Sequence, residues 1–427
     1  MIGQLGIIFM GVVDSAMVGR VGADSLAASS IANGIFILIL IIGIGVSYVI
    51  SPLVAIAIGG KNYSYCDKIF QQSFYINFVL SIVLFLFSFF ASNLIQFLNQ
   101  PPEVEKLAKP YLEILSVSII PIMVFQTYKQ FIEGLSIMKP AMIITIAANF
   151  INAFSNWILI FGNLGLPALG LNGAGFATLI SRTFMMLSII FYVSNSNLFT
   201  NYRLKILPLK IEKKIAVKIL KLGIPGGFQY FFEVGAFAFA SIMVGWIGTT
   251  ELAAHQIALS LSSISYMVIL GISSAAAIRV GGFVGEQNIK ETRKAGFAAL
   301  LLSASMMLAF GLIFILGNKI LPSLYIENQE VIGIASTLLI ITALFQVFDG
   351  TQATGIGILR GITDVKIPTL LTFTSYWIIG LPSGYIFAFY FNGGVIGIWL
   401  GFLLCLITSA SLLTLRFNYK SKQMIYH

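Results

Sequence analysis

Apolar residues run along this chain in long blocks separated by short clusters of charge, proline and glycine. Ile35–Ile50, Ile76–Ala91, Ile334–Phe348 and Ile396–Leu415 are four such blocks. About 20 consecutive apolar residues are enough to cross a bilayer as a helix. The blocks are continuous, so they do not have the in–out alternation of an outer-membrane barrel strand. Breaks at charge, Pro and Gly predict twelve spanning helices, near 2–19, 28–58, 70–98, 111–134, 140–162, 172–194, 216–247, 251–278, 295–320, 331–356, 367–391 and 394–416. The expected fold class is an all-α polytopic membrane protein. The first span has no charged leading region and no small-residue cleavage site, so it reads as a helix of the mature chain rather than a signal peptide.

Composition agrees with this reading. Hydrophobic residues make up 58% of the 427 and charged residues 10%, against about 25% charged in a soluble domain. The charges are also unevenly placed. The odd-numbered connections hold four lysines and arginines (Arg20, Lys106, Lys109 and Lys319), whereas the even-numbered connections and the C-terminal tail, together with the span ends beside them, hold nineteen. Basic connections stay in the cytoplasm, so both termini are expected there, in a multi-pass protein of the cytoplasmic membrane. The net charge of +9 then follows from topology. The basic residues are scattered and form no patch that a nucleic acid would need.

The pattern also repeats. Met17–Ala32, MVGRVGADSLAASSIA, and Met243–Ala258, MVGWIGTTELAAHQIA, share nine of sixteen positions at an offset of 226. The register persists from Gly45 to Gly271, Ser47 to Ser273, Gly59 to Gly285 and Asn62 to Asn288. A second pairing, at offset 220, matches Phe125-Gln126 with Phe345-Gln346 and Asn172 with Asn392. Copies six spans apart enter the membrane facing the same way, which makes a parallel repeat of the kind many secondary transporters use to alternate access. The expected organisation is an N-terminal six-helix bundle over 1–200, a basic cytoplasmic linker over 201–221 and a C-terminal bundle over 222–427.

Three acids stand out inside predicted spans: Asp14, Glu233 and Asp349, none with a lysine or arginine within four residues. A carboxylate in the bilayer core costs roughly 3 kcal/mol on insertion scales. Each must therefore be protonated, bind a cation, face water or hydrogen-bond a neighbouring helix. In the fifth span Asn149, Asn152 and Asn156 fall on one helix face, and in the sixth Ala174 and Thr178 are one turn apart. Carboxylate, amide and hydroxyl oxygens together suit a small hard cation; asparagine and threonine also serve as interhelical glue.

Other features have plainer readings. Lys129 and Glu133, four apart, are expected to form an intrahelical ion pair. Arg182 either snorkels or pairs with a carboxylate. His255 reads as structural or interfacial. Cys66 and Cys405 suggest neither a metal site nor a disulfide. Pro225-Gly226-Gly227 predicts a kink or irregular turn in the seventh span, and Gly355, Gly357 and Gly361 a looser end to the tenth.

Five segments in order, GVVDSAMVGRVG, EGLSIMKPAM, NAFSNWILIFGNLGLPALGLNGAGFAT, ELAAHQIA and ILRGITDVKIP, resemble the multidrug and toxic compound extrusion family in its NorM-like branch, over nearly the whole chain. The resemblance implies two pseudo-symmetric six-helix bundles in a V around a central cavity. It implies a transporter, not an enzyme, exporting organic cations or drugs in exchange for sodium ions or protons. No cofactor beyond the coupling ion is implied, and a monomer is expected. Residue by residue, Asp14 matches the family's first-helix aspartate, and Asn152, Asn156 and Thr178 match the groups that complete a cation site in the N-terminal half, with a backbone carbonyl from Ala174. Glu233 and Asp349 match the acids of a cation site in the C-terminal half. There Phe345 stands where some members carry a tyrosine, which keeps a ring face for a cation but drops a hydroxyl ligand. Members also extend further at the N-terminus and carry a proline in the first helix; either this sequence is truncated there or its first helix works without that bend. Two other readings are a flippase for a lipid-linked sugar precursor and a membrane-embedded enzyme. The first needs a cationic cavity, for which only Lys129 and Arg182 are candidates in the N-terminal half; the second needs an acidic pair near a membrane edge.

Overall fold

The computed structural model describes residues 2–98, 100–199, 202 and 211–424, with backbone alone at 2–5, 7–9 and 98. Part of the expected linker, residues 201 and 203–210 with Arg203, Lys205 and Lys210, lies outside the described residues. Twelve helical segments follow in chain order: α1 Ile2–Gly19, α2 Ala23–Gly59, α3 Tyr63–Phe97, α4 Pro102–Gly134, α5 Lys139–Phe161, α6 Leu171–Asn195, α7 Lys213–Gly245, α8 Thr249–Gly285, α9 Ile289–Leu316, α10 Gln329–Gly361, α11 Lys366–Tyr390 and α12 Gly394–Lys422. Among the described residues α2 to α12 are each long and apolar enough to cross a membrane, and no strand is present. The all-helical polytopic expectation holds.

Several helices extend beyond the sequence reading, two of them clearly because charge was taken as the edge of a helix. The helix α4 starts at Pro102, with proline at its first position and Glu103 and Glu105 in its first turn, where acids meet the positive end of the helix dipole. Lys106 and Lys109 are therefore helical. The helix α8 runs on to Gly285 and carries Arg279, whose guanidinium lies 4.4 Å from the Phe283 ring centroid.

The repeat has a local structural meaning. Asn62 and Asn288, equivalent at offset 226, each cap the next helix, accepting at 3.1 Å from the backbone N–H of Tyr65 and of Glu291. The preceding residues, Lys61 and Gln287, both adopt left-handed backbone, at φ 55° and 58°. The duplicated asparagines are thus capping residues, each worth about 1 kcal/mol.

The helices group into two compact units, Ile2–Gly227 and Phe228–His427. In the first, α1 packs on α5, α5 on α6, and α4 lies against α2, α3 and α6. In the second, α10 is the central helix, packed by α8, α9 and α12, with α11 on α12. Cys66 and Cys405 are free, fully buried thiols, one in each unit.

Prolines break three spans. Pro52 and Pro121 have no N–H to offer the carbonyls of Tyr48 and Val117, four residues back. Accordingly, α2 divides into Ala23–Ser47 and Ile50–Gly59, and α4 into Pro102–Val117 and Ile119–Gly134 around Ser118. In α11, Pro382 leaves Ile378 without its partner, and the backbone widens into π-type turns over Thr374–Gly380 and Ile386–Tyr390. Leu381 N–H reaches back five residues to the Tyr376 carbonyl there.

The irregular turn expected at Pro225-Gly226-Gly227 does not form: α7 is helical without interruption from Lys213 to Gly245. Its glycines serve close packing instead. A Cβ on Gly45 of α2 would lie 2.7 Å from the Gly226 carbonyl oxygen and 2.7 Å from Gly227 Cα, and one on Gly227 would lie 2.6 Å from the Ile42 carbonyl. The end of α10 is likewise continuous to Gly361, where a Cβ would lie 2.8 Å from the Ala277 carbonyl. These glycines bring backbones together rather than loosen them. Gly45→Val should therefore destabilise the folded protein by about 1–3 kcal/mol, the usual cost of overpacking. Gly34→Ala, where an added Cβ meets nothing within 4 Å, should leave it unchanged. Thermal denaturation of the two purified variants in detergent checks this contrast.

Candidate functional site

The structure gathers the predicted polar residues of the N-terminal half around Asp14, which is only partly buried. The carboxylate accepts two hydrogen bonds from two other helices. Asn156 Nδ2 on α5 donates to Oδ1, and Thr178 Oγ1 on α6 donates to Oδ2 at 3.3 Å. Asn156 Nδ2 also reaches Asn152 Oδ1 at 3.2 Å. This spacing follows from the helix: residues four apart on α5 share a face. Asn156 Oδ1 and Asn152 Nδ2 remain buried and unbonded. Ala174, one turn before Thr178, packs in the apolar cluster that includes Val18 and Leu171. Asn149 is farther along α5, its Nδ2 against Gly6.

In the C-terminal half, Glu233 on α7 and Asp349 on α10 are both buried. They lie close enough for each charge to act on the other. Tyr266 of α8 donates from its hydroxyl to Glu233 Oε1 at 2.6 Å. Asp349 makes no hydrogen bond among the described residues. Gln352, one turn further along α10, accepts from the Tyr376 hydroxyl at 3.0 Å, and its side chain also acts on Glu233. The Arg360 guanidinium lies 5.5 Å from the Tyr230 ring centroid and is the positive charge that acts on Glu233. The π-type turn of α11 contributes to this frame. It places Tyr376 against Gln352 of α10, while Trp377 Nε1 donates to the Phe232 carbonyl of α7 at 2.9 Å.

Phe345, one turn before Asp349, is stacked on Trp399 with ring centroids 5.6 Å apart and planes at 18°, so one of its faces is covered. Trp399 Nε1 donates to His255 Nδ1 at 3.0 Å. Indole N–H can only donate, so Nδ1 is the unprotonated nitrogen. Nε2–H then donates to Ser241 Oγ at 3.0 Å, and that hydroxyl donates to the Phe237 carbonyl at 3.1 Å. His255 is a fully buried structural residue.

Two expectations change. The Lys129–Glu133 ion pair is absent. The ion pairs among the described residues are Lys68–Glu212, Lys294–Glu291 and Arg416–Asp364, and Glu133 Oε2 faces Gln130 Nε2 at 3.5 Å. Lys129 is buried, whereas ion pairs at this spacing form on an exposed helix surface. Arg182 neither snorkels nor forms an ion pair: Nη1 donates to Ser118 Oγ at 2.6 Å and the guanidinium lies 4.8 Å from the Phe36 ring centroid. Tyr266, Gln352, Tyr376 and Arg360 were missed from sequence, although Gln352 stands three residues after Asp349, a same-face spacing that the asparagine series of α5 had already illustrated.

Chemically, two neighbouring carboxyls in a low-dielectric interior cannot both carry uncompensated charge. The pair of Glu233 and Asp349 is suited to exchanging a proton or a small cation. Asp14 with its amides and hydroxyl is the other place where a cation could replace a hydrogen-bond donor.

Known proteins resemble this chain over nearly its whole length. The MatE family profile matches residues 1–158 and 225–386. A probable multidrug resistance protein NorM of Mesorhizobium japonicum is 34% identical over 420 residues, covering 97% of this chain and 90% of that protein. A multidrug resistance protein NorM of Aliivibrio fischeri is 34% identical over 417 residues, 95% of this chain and 89% of that one. Among solved structures, an outward-facing multidrug resistance MATE family transporter superposes with a TM-score of 0.92 at 21% identity, covering 100% and 94% of the two chains. A eukaryotic MATE transporter does so with a TM-score of 0.88 at 20% identity, covering 99% and 94%.

The two sites should respond differently to substitution. Asp349→Asn removes a buried charge that has no hydrogen bond, so the thermal midpoint should hold or rise in sodium-free buffer. Asn156→Ala takes the donor from a part-buried carboxylate and should cost about 1–3 kcal/mol. Denaturation curves of the purified variants in detergent decide between these signs.

Proposed function

The chain belongs to the MatE family of membrane transporters, and on that premise we propose that it is a secondary active antiporter that exports organic cations and drugs in exchange for sodium ions or protons. The observation that carries this reading is Asp349, a buried carboxyl without a hydrogen bond on the central helix of its unit, beside a second buried acid, Glu233. A group in that position is costly unless a positive ion visits it. The curated relatives named multidrug resistance protein NorM supply the substrate class, small organic molecules of varied shape.

Coupling requires the ion to bind two conformations with different affinity; with equal affinity it shifts nothing. Glu233 and Asp349, with Phe345 one turn away, form the ion site of the C-terminal half. Asp14, Asn152, Asn156 and Thr178, with the Ala174 carbonyl, form that of the N-terminal half. The two halves, 1–200 and 222–427, are the moving parts of alternating access, joined by the linker 201–221. The protein works as a monomer in the cytoplasmic membrane with both termini in the cytoplasm, as the lysine and arginine bias supports.

Expressed in cells that lack their own efflux pumps, the protein should lower accumulation of ethidium and norfloxacin. Asp14→Asn, Glu233→Gln and Asp349→Asn should return accumulation to that of cells without the protein. Wild-type efflux rates in Glu233→Gln and Asp14→Asn, at equal membrane levels, would refute the assignment of these acids. In proteoliposomes, a sodium gradient alone and a pH gradient alone identify the driving ion.

A further inference from the structure

Arg182 sits one turn beyond Thr178 on α6, so the two side chains leave the same helix face. Thr178 reaches Asp14 Oδ2 at 3.3 Å. Arg182 does not pair with Asp14, yet the two charges act on each other across the gap. The guanidinium is held elsewhere: Nη1 donates to Ser118 Oγ at 2.6 Å, and the Phe36 ring centroid lies 4.8 Å away. Ser118 is the residue at which α4 breaks, and its own hydroxyl donates to the Leu115 carbonyl at 2.5 Å.

A hydroxyl and a ring face are modest partners for a guanidinium; a carboxylate is a stronger one. A partly buried arginine that rests on the weaker partners, and leaves the same helix face as the threonine that reaches the carboxylate, has two available partners. Which one it takes depends on whether Asp14 is already compensated. We infer that Arg182 is the standby counter-charge of Asp14: it rests on Ser118 and Phe36 while a driving cation occupies the carboxylate, and moves to the carboxylate when that cation leaves. This rests on the reading of Asp14 as an ion site. Asp14 is never left as an uncompensated charge, and the cation can leave because an internal charge takes its place. The affinity for the driving ion is then set by competition, and the break at Ser118 senses the exchange because the same guanidinium holds it.

The competition gives two variants opposite signs. In proteoliposomes, with ethidium efflux driven by whichever of a sodium or a pH gradient drives wild type, Arg182→Gln should lower the half-saturating concentration of that cation by about tenfold, a typical coupling between two ligands. It should also slow the maximal rate, because release becomes harder. Ser118→Ala removes the resting partner and should raise the half-saturating concentration several-fold. Asp14→Asn combined with Arg182→Gln should behave as Asp14→Asn alone. A purely structural role would not shift the two single variants in opposite directions. An unchanged or raised value in Arg182→Gln, or an unchanged or lowered one in Ser118→Ala, overturns the inference, and Ser118→Ala decides alone if the arginine variant does not fold. Wild-type efflux that neither gradient drives would overturn the antiport reading, and this inference with it.

Discussion

A polar group inside a lipid bilayer has no water to exchange partners with, so the protein itself must supply them all. That constraint organises the whole chain. Backbone groups meet it by folding into helices from end to end. Ordinary side chains meet it locally, as serines and threonines donate to carbonyls of their own helix in Ser47 to Gly43 and Thr342 to Leu338. The acids cannot be satisfied in this way. Asp14 is held by donors from two other helices, whereas Asp349 has a second acid for a neighbour. One half of the duplicated scaffold therefore presents a compensated carboxylate and the other an open one. The two sites solve the same problem of charge with different chemistry.

Proline and glycine meet the same constraint for the backbone. Pro52, Pro121 and Pro382 each withdraw one N–H, and each leaves a visible mark nearby: a break at Tyr48-Val49, a break at Ser118, and π-type turns in α11. Pro225 leaves none, because α7 stays helical where Gly226 and Gly227 allow α2 to press against it. The π-type turns also have a place in the site, since they aim Tyr376 at Gln352 and Trp377 at the carbonyl before Glu233. Wide helical turns often accompany functional positions for this reason: they redirect side chains that regular spacing would send elsewhere.

Much of this was legible in the sequence. Spans, their number and their edges within a few residues follow from hydropathy, because the bilayer fixes their length. The duplicated stretch signalled two similar halves, and the charged residues inside apolar runs picked out Asp14, Glu233 and Asp349. The errors came where one physical cue had two causes. Acids and lysines at the start of α4 mark a helix dipole as well as a loop. Glycines in α7 and α10 allow close approach as well as flexibility. The partners of the acids were hidden for another reason: Tyr266, Gln352, Tyr376 and Arg360 come from three helices other than that of Glu233, and only the packing brings them to it. Ser118 has no sequence signal of its own, since its importance arises from Pro121 three residues on and from Arg182 sixty-four residues away.

The two cysteines have a practical consequence. Cys66 and Cys405 are sealed in the interiors of separate units, neither bonded to the other nor reachable from outside. Water-borne thiol reagents will therefore find no native target on the folded molecule. A cysteine introduced at any exposed position becomes a unique attachment point, so probes for fluorescence or spin-label distance work can be installed without first rebuilding the protein's core.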